Sequence, residues 1–141
     1  MAPDGAGPIA KKCFLIDKVR NEVKNTGDDL SHWMSNISLP NIYSTAQESV
    51  IDNYRKVLKH VQTCGLYKVE ALREWSKLDI ADPWIIASAM TLEANIITFE
   101  TSKTPNRNQP SKNAKIPDVA TVFGLSCYDL YYFMRKLNFK L

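Results

Sequence analysis

The chain is short and has an ordinary globular composition. Its 141 residues are enough for one domain with a hydrophobic core, since 45% of them are hydrophobic and 23% are charged. No apolar run reaches the length of a membrane span, and no pattern typical of a signal peptide is present. The net charge of +3 at pH 7 is only weak support for a nucleic-acid partner, because many proteins carry as much charge.

The cysteines and histidines indicate neither disulfides nor a metal site. Cys13, Cys64 and Cys127 are odd in number and lack metal-ligand spacing, which favours a reduced, cytoplasmic protein. His32 and His60 have no acidic or histidine neighbour at such spacing, so we assign them no role.

The first third of the chain predicts two short helices. Asp17 is placed to cap a helix that runs to about Lys24. A second helix is predicted to begin at Asp29 or Ser31, and residues 40–45 are predicted to be a connector. No strand is predicted in this part of the chain.

A longer amphipathic helix is predicted for residues 47–64. Apolar residues recur on one of its faces at helical spacing: Val50, Tyr54, Val57, Leu58 and Val61. Gly65 is suited to end this helix, because a helix often closes with a left-handed residue. A shorter helix is predicted for residues 69–78.

The segment of residues 76–100 is the most informative part of the sequence. Asp82 and Pro83 are typical of a helix N-terminus, with the aspartate as N-cap and the proline at the first helical position. After the helix, the apolar run of residues 96–99 predicts a short buried parallel strand. Glu100 follows directly, and in open α/β sheets functional groups gather at the carboxyl ends of strands. Two carboxylates at one sheet edge suit a divalent cation that prefers oxygen ligands.

Each acidic residue also has a plain structural explanation. Asp82 before a proline is a common helix cap, so capping and metal binding are about equally supported. Glu100 is equally consistent with the start of a surface loop, and Glu22 by itself is typical of a solvated helix. Asp79 is either an outer acid of the site or an earlier cap, and Asp118 at a helix start is more typical of a cap than of a ligand.

The C-terminal part begins with a loop of residues 101–115, which its prolines, serines and asparagines predict to be mobile. The loop contains no acid and four cations that are suited to RNA phosphates: Lys103, Arg107, Lys112 and Lys115. An ordinary solvated loop is slightly better supported than an RNA-binding one.

Three short elements are predicted to complete the chain. They are a helix over residues 116–123 ended by Gly124, a brief strand over residues 125–127, and a closing helix capped by Asp129. The predicted core comprises Ile85, Ile86, Ala89, Ile97, Val119, Phe123, Leu130 and Phe133.

The order of these motifs resembles that of PIN-domain nucleases. Their signature, Asp-x-x-Ile-Ala-x-Ala followed by Thr-x-Asp/Glu, is similar to residues 82–89 and 97–100 of this chain. Two further segments, residues 115–127 and 130–139, are similar to one PIN-like subgroup of small prokaryotic proteins, which is labelled only as a domain of unknown function.

The resemblance covers the chain from residue 14 onward. Residues 14–23 resemble the subgroup's second acidic motif, with Glu22 at its glutamate. PIN domains open with a central strand that ends in an aspartate, typically Leu-Leu-Asp-Thr-Asn, and no such segment is found here. Asp4 lies among prolines and glycines that break strands, so the first family aspartate is not carried over to it. We expect a disordered or non-native tail over residues 1–13 and an N-terminally truncated PIN-like domain over residues 14–141; truncation, a misplaced start and degeneration remain open as causes.

The resemblance implies an α/β fold, namely a PIN-like three-layer domain with a small parallel sheet flanked by helices. The domain is expected to be helix-rich because its central strand is not found. The resemblance also implies a metal-dependent ribonuclease of the toxin type, with Glu22, Asp82 and Glu100 as catalytic residues and as ligands of Mg²⁺ or Mn²⁺. Such proteins act on RNA and are commonly held in check by an antitoxin-like protein partner.

One alternative belongs to a different functional class. The ligand set is one acid short of the usual four, which supports a catalytically inactive PIN-like remnant that binds RNA or a protein. Loss of a central strand would remove hydrogen bonds and burial from its neighbours, and this favours compensation by a homodimer.

Overall fold

The computed structural model describes residues 15–19, 42–129, 131, 132 and 135. The chain divides into two compact units, Met1–Thr45 and Ala46–Leu141. Within the described ranges, every helix is too short or too polar to cross a membrane. The predicted tail, the predicted second helix and Glu22 lie outside the described residues.

A small parallel sheet lies in the first unit. It pairs β1 (Leu15–Ile16) with β2 (Ile42–Tyr43). Residues 17–19 are helical, so the described part of the predicted first helix is present, but Asp17 is a helical residue rather than its N-cap. The Asp17 carboxylate binds across the unit, since it accepts hydrogen bonds from the Thr45 N–H at 3.1 Å and the Thr45 hydroxyl at 2.9 Å. The expectation that this region lacks strands is therefore wrong. The strands left no signal in the sequence, because two residues are too few to show an alternating pattern.

The second unit begins with the long helix that the sequence predicted. Helix α1 (Glu48–Thr63) buries four residues of the predicted apolar face: Val50, Tyr54, Val57 and Val61. Gly65 follows with φ +80°, so the left-handed closing residue is also confirmed. Helix α2 (Val69–Trp75) is shorter than predicted and buries Ala71 and Trp75.

Helix α3 (Asp82–Leu92) packs against α1 and is buried over much of its surface. The Trp84 ring stacks on Tyr54 with centroids 3.9 Å apart, and Ile86 and Ala89 are in the core as predicted. Asp82 is the first helical residue, and Ala81 occupies the N-cap position, so the predicted cap is wrong by one residue. The Asp82 carboxylate still lies in the first turn, where the helix dipole favours a negative charge.

The second parallel sheet lies in this unit and pairs β3 (Ile96–Ile97) with β4 (Cys127–Tyr128). Helix α4 (Ile116–Val122) precedes β4 and ends before Gly124, which has φ +79°. Ile96 is 3% exposed and Ile97 is 38% exposed, so the prediction of a buried Ile97 is wrong by one position. Side chains alternate along a strand, and a register error of one residue therefore exchanges the buried and exposed faces.

The described elements form an α/β fold that is rich in helices, with parallel strands in two-residue pairs. The predicted fold class is therefore confirmed. The core of the second unit lies among α1, α2, α3, α4 and β3. The start of the closing helix is also as predicted, since the Asp129 carboxylate accepts a hydrogen bond from the Tyr132 N–H at 2.7 Å.

Candidate functional site

Glu100 connects the strand β3 to the beginning of helix α4. Its side chain is half-buried, and Oε1 accepts a hydrogen bond from the Ile116 N–H at 2.7 Å. Ile116 opens α4, and Lys115 before it provides no side-chain cap. The first N–H groups of a helix lack partners within the helix and carry a partial positive charge, so the Glu100 carboxylate satisfies one of them and stabilises that end. Glu100 is thus a fixed group, unlike the first residue of a solvated loop.

Cys127 on β4 lies within the electrostatic reach of this carboxylate. Burial raises the pKa of the Cys127 thiol, and the charge of Glu100 raises that pKa further. A raised pKa keeps the thiol protonated at neutral pH, where it is a poor nucleophile and metal ligand. Cys127 thus serves as a small packing residue beside the core.

Asp118 holds the beginning of the 101–115 loop. Its Oδ2 accepts a hydrogen bond from the Lys103 N–H at 2.9 Å, and its Oδ1 accepts one from the Ser102 hydroxyl. The Ser102 hydroxyl oxygen also accepts a hydrogen bond from the Thr104 N–H at 3.2 Å. The expectation that Asp118 caps its own helix is wrong, because its carboxylate is used by the loop 15 and 16 residues earlier in the chain.

Asp82 and Glu100 occupy opposite ends of one helix–strand segment in the sequence. The eleven residues of α3 span about 16 Å. The helix closes at Glu93, which has φ 52°, and the Ala94 N–H donates back to the Ala89 carbonyl at 3.0 Å. Strand β3 begins three residues after Glu93, and Glu100 lies three residues beyond the end of that strand.

The chemistry of the two described acids, Asp82 and Glu100, suits an oxygen-binding cation. Mg²⁺ is commonly bound by one or two carboxylates together with waters and phosphate oxygens. Asp82 and Glu100 are carboxylates of this kind, whereas Glu22 lies outside the described residues. Across the described ranges, no three histidine, cysteine, aspartate or glutamate side chains gather closely enough to hold a metal ion.

The basic loop is tied to the body of its unit along its length. A parallel bridge pairs Tyr67 with Ser111, through the Lys68 N–H to the Ser111 carbonyl at 2.8 Å and the Ser111 N–H to the Leu66 carbonyl at 3.0 Å. Asn106 Oδ1 accepts two backbone hydrogen bonds at the loop tip, and Ala114 is buried in the core. The structure thus gives the loop hydrogen bonds that the sequence did not predict, while its mobility stays a prediction. Hydrogen bonds to residues distant in sequence leave no local signal.

The four loop cations remain available to solvent. Lys103, Arg107 and Lys112 are exposed and Lys115 is half-buried. The ion pairs found among the described residues, Arg55–Asp52 and Lys77–Glu74, involve none of them. The loop thus presents four positive charges that the described protein groups do not neutralise.

A family model matches residues 9–141 of the chain, and its description is a domain of unknown function, DUF4411. The chain belongs to the DUF4411 family. This membership confirms the part of the resemblance that pointed to a domain of unknown function, whereas the PIN-like superfamily assignment stays a prediction. No curated protein and no solved structure matches the chain.

Two features of this DUF4411 protein were missed by sequence reasoning. Lys68 joins the basic loop through the bridge at Ser111, although 43 residues separate the two positions. A polar cavity of about 390 Å³ is lined by residues that precede β3 and β4, among them Glu93, Asn95 and Ser126. The sequence offers no signal for either feature, since both depend on how the elements pack.

Proposed function

We propose that this DUF4411 protein is a PIN-like, metal-dependent ribonuclease of the toxin type, with Glu22, Asp82 and Glu100 as its metal-binding and catalytic acids. The observation that carries the proposal is the position of Glu100. It is a half-buried carboxylate, held by a hydrogen bond, three residues after a strand of a parallel pair. Asp82 supports it from the first turn of α3, and the PIN-like order of motifs supplies the link to RNA hydrolysis.

The chemistry of the proposed site follows from its carboxylates. A Mg²⁺ or Mn²⁺ ion bound there would activate water and stabilise the charge on the leaving oxygen. A carboxylate has several acceptor positions, so Glu100 can retain its hydrogen bond to the Ile116 N–H and still offer oxygen lone pairs to a cation. The fixed orientation of Glu100 reduces the entropy lost when a ligand is bound.

The partners of this proposal are RNA and an antitoxin-like protein. The loop cations Lys103, Arg107, Lys112 and Lys115 support the RNA assignment, because the described acids do not neutralise them. The antitoxin-like partner follows from the PIN-like resemblance, and a homodimer is proposed beside it.

The test is cleavage of a structured RNA in the presence of Mn²⁺. We expect wild type to cleave and Asp82→Asn to be inactive, because an amide lacks the negative charge that holds the cation. Asp52→Asn is the matched control, since Asp52 is an exposed α1 residue that pairs only with Arg55 among the described groups. Equal cleavage by wild type and Asp82→Asn would remove Asp82 from the mechanism.

A second candidate is a non-catalytic PIN-like remnant that binds RNA or a protein. The observation that favours it is the structural use of the acids near α4. Glu100 binds the Ile116 N–H, and Asp118 binds Ser102 and Lys103. Calorimetric titration with Mn²⁺ separates the two candidates, because a remnant shows no binding from the micromolar to the low millimolar range.

A further inference from the structure

The loop 101–115 and the turn between α1 and α2 are joined by two backbone hydrogen bonds at Ser111. Ser111 is bonded on both sides, since its carbonyl accepts from the Lys68 N–H and its own N–H donates to the Leu66 carbonyl. These two bonds place the side chains of Lys68 and Lys112 at neighbouring positions of one bridge. Lys68 is exposed and precedes the first residue of α2.

Arg107 lies over the same turn. A β-carbon placed on Gly65 would be 3.8 Å from Arg107 Nε and 3.9 Å from its Cγ, so the arginine side chain covers the face of that glycine. Gly65 is left-handed, with φ +80°. The loop therefore brings Arg107 to the turn after α1, which also contains Lys68.

Tyr67 connects this group to the other end of the loop. Burial raises the pKa of the Tyr67 hydroxyl to about 12, with further contributions from the charges of Asp118 and Cys64. Asp118 in turn binds the backbone of Lys103, and Lys115 adjoins α4 at its N-cap position. Tyr67 thus lies between the bridge at Ser111 and Asp118, which binds the start of the loop.

The charge of this surface is strongly positive and is held in place. Residues 101–115 contain no acid. In the part of the chain that the structure describes, neither Lys68 nor any of the four loop cations forms an ion pair. Because backbone hydrogen bonds fix the surface in advance, little conformational entropy is lost when a polyanion binds.

We propose that Lys68 and the loop cations Lys103, Arg107, Lys112 and Lys115 form a single surface that binds the phosphate backbone of single-stranded RNA. The proposal deepens the ribonuclease function and rests on it for the choice of nucleic acid. These five cations lie on a loop and a turn rather than along one face of a helix, which favours a single strand over a duplex groove. Exposed Asn108 and Gln109 at the loop tip add hydrogen-bonding groups for bases.

The test measures binding of a short single-stranded RNA by fluorescence anisotropy in EDTA, between about 50 and 200 mM salt. For single strands, the slope of log affinity against log salt falls by about 0.7 for each phosphate contact that is lost. We expect Lys68→Gln to reduce the slope by about this amount and to weaken binding about fivefold at 0.1 M salt. Lys68→Arg retains the charge and should retain the slope.

The matched control is Lys77→Gln, which removes the same charge from an exposed lysine that already pairs with Glu74 at 3.1 Å. We expect its slope to equal that of wild type. A wild-type slope in Lys68→Gln overturns the proposal, and so does an equal loss in Lys77→Gln, because net charge alone would then explain the effect. Tighter binding of a duplex of the same length overturns the assignment to single strands.

The outcome is distinguishable from that of the ribonuclease proposal, since EDTA prevents metal-dependent cleavage. Salt-dependent binding through Lys68 without cleavage in Mn²⁺ supports the surface and contradicts the enzyme. Cleavage in Mn²⁺ with an unchanged salt slope in Lys68→Gln supports the enzyme and contradicts the surface.

Discussion

The acids and the cations near α4 are used in opposite ways. The carboxylates of Glu100 and Asp118 accept hydrogen bonds within the protein, from the Ile116 N–H and from the start of the loop respectively. Lys103, Arg107 and Lys112 have exposed side chains and no ion pair among the described residues. The difference indicates that the acids help to fix the backbone, and that the backbone in turn presents the cations to solvent.

The largest expected effect on stability comes from removing the carboxylate of Glu100. Glu100→Ala leaves the N–H of the buried residue Ile116 without its partner, which should lower the free energy of unfolding by about 1–3 kcal/mol. Urea unfolding measures this change in the free energy of unfolding. Glu70→Ala is the control, because Glu70 is exposed in the first turn of α2. Equal stability of the two variants would break the comparison on its acidic side.

Asp118→Ala should have a smaller effect. It removes the acceptor of the Ser102 hydroxyl and the Lys103 N–H, and both groups are exposed enough for water to replace it in part. We expect a loss of about 1 kcal/mol in the free energy of unfolding, together with faster hydrogen exchange of the Lys103 amide. Asp79→Ala, at an exposed position, should change neither quantity. Unaltered exchange at Lys103 in Asp118→Ala would show that the loop does not need this carboxylate.

His60 sharpens the comparison through pH. Burial lowers the pKa of His60 from 6.5, its Nε2 is buried without a hydrogen-bond partner in the described part of the chain, and its ring contacts Phe123. The pKa of His60 is lower in the folded protein than in the unfolded chain, so folding favours the neutral ring. The contribution of the neutral ring to the free energy of unfolding is complete above pH 6.5 and is lost as the pH falls toward the folded pKa. We expect His60→Gln to lose less stability than wild type between about pH 7 and pH 5. Parallel profiles of stability against pH for wild type and His60→Gln would exclude His60 as a source of the pH dependence.

The smallest expected effect on stability belongs to the loop cations. Replacing Lys103, Arg107, Lys112 and Lys115 with serine should leave the free energy of unfolding unchanged within about 0.5 kcal/mol, since these side chains form no ion pair with described residues. The same variant should reduce the salt slope of RNA binding by about 2.8, which is four times the value for one contact. A stable variant with a wild-type slope would make the loop an ordinary solvated connector.

Local patterns in the sequence predicted the helices of the second unit well. The apolar spacing of α1 and the glycines that close α1 and α4 are visible within a few residues, and the structure has all of them. The strands β1 and β2 were missed, because pairs of two residues have no period to detect. The acid Asp82 was placed at its helix start with an error of one residue.

Long-range hydrogen bonds account for what the sequence could not predict about the candidate site. Glu100 was predicted to follow a strand directly, whereas β3 ends three residues before it. Its bond to the Ile116 N–H depends on the packing of α4 beside that segment. Asp118 looked like a cap because its own helix is nearby, whereas its partners lie in the loop. Lys68 is joined to the basic loop by the bridge at Ser111. Each of these contacts is set by packing between elements rather than by a local pattern.

The measurement that tests the ribonuclease proposal most directly is RNA cleavage in Mn²⁺ by Glu100→Gln, with stability determined on the same preparation. The amide oxygen can still accept the Ile116 N–H, so we expect the variant to remain folded, within about 1 kcal/mol of wild type. The lost charge should abolish cleavage while RNA binding in EDTA persists. Cleavage at the wild-type rate by this folded variant would contradict the role of Glu100 as a metal ligand.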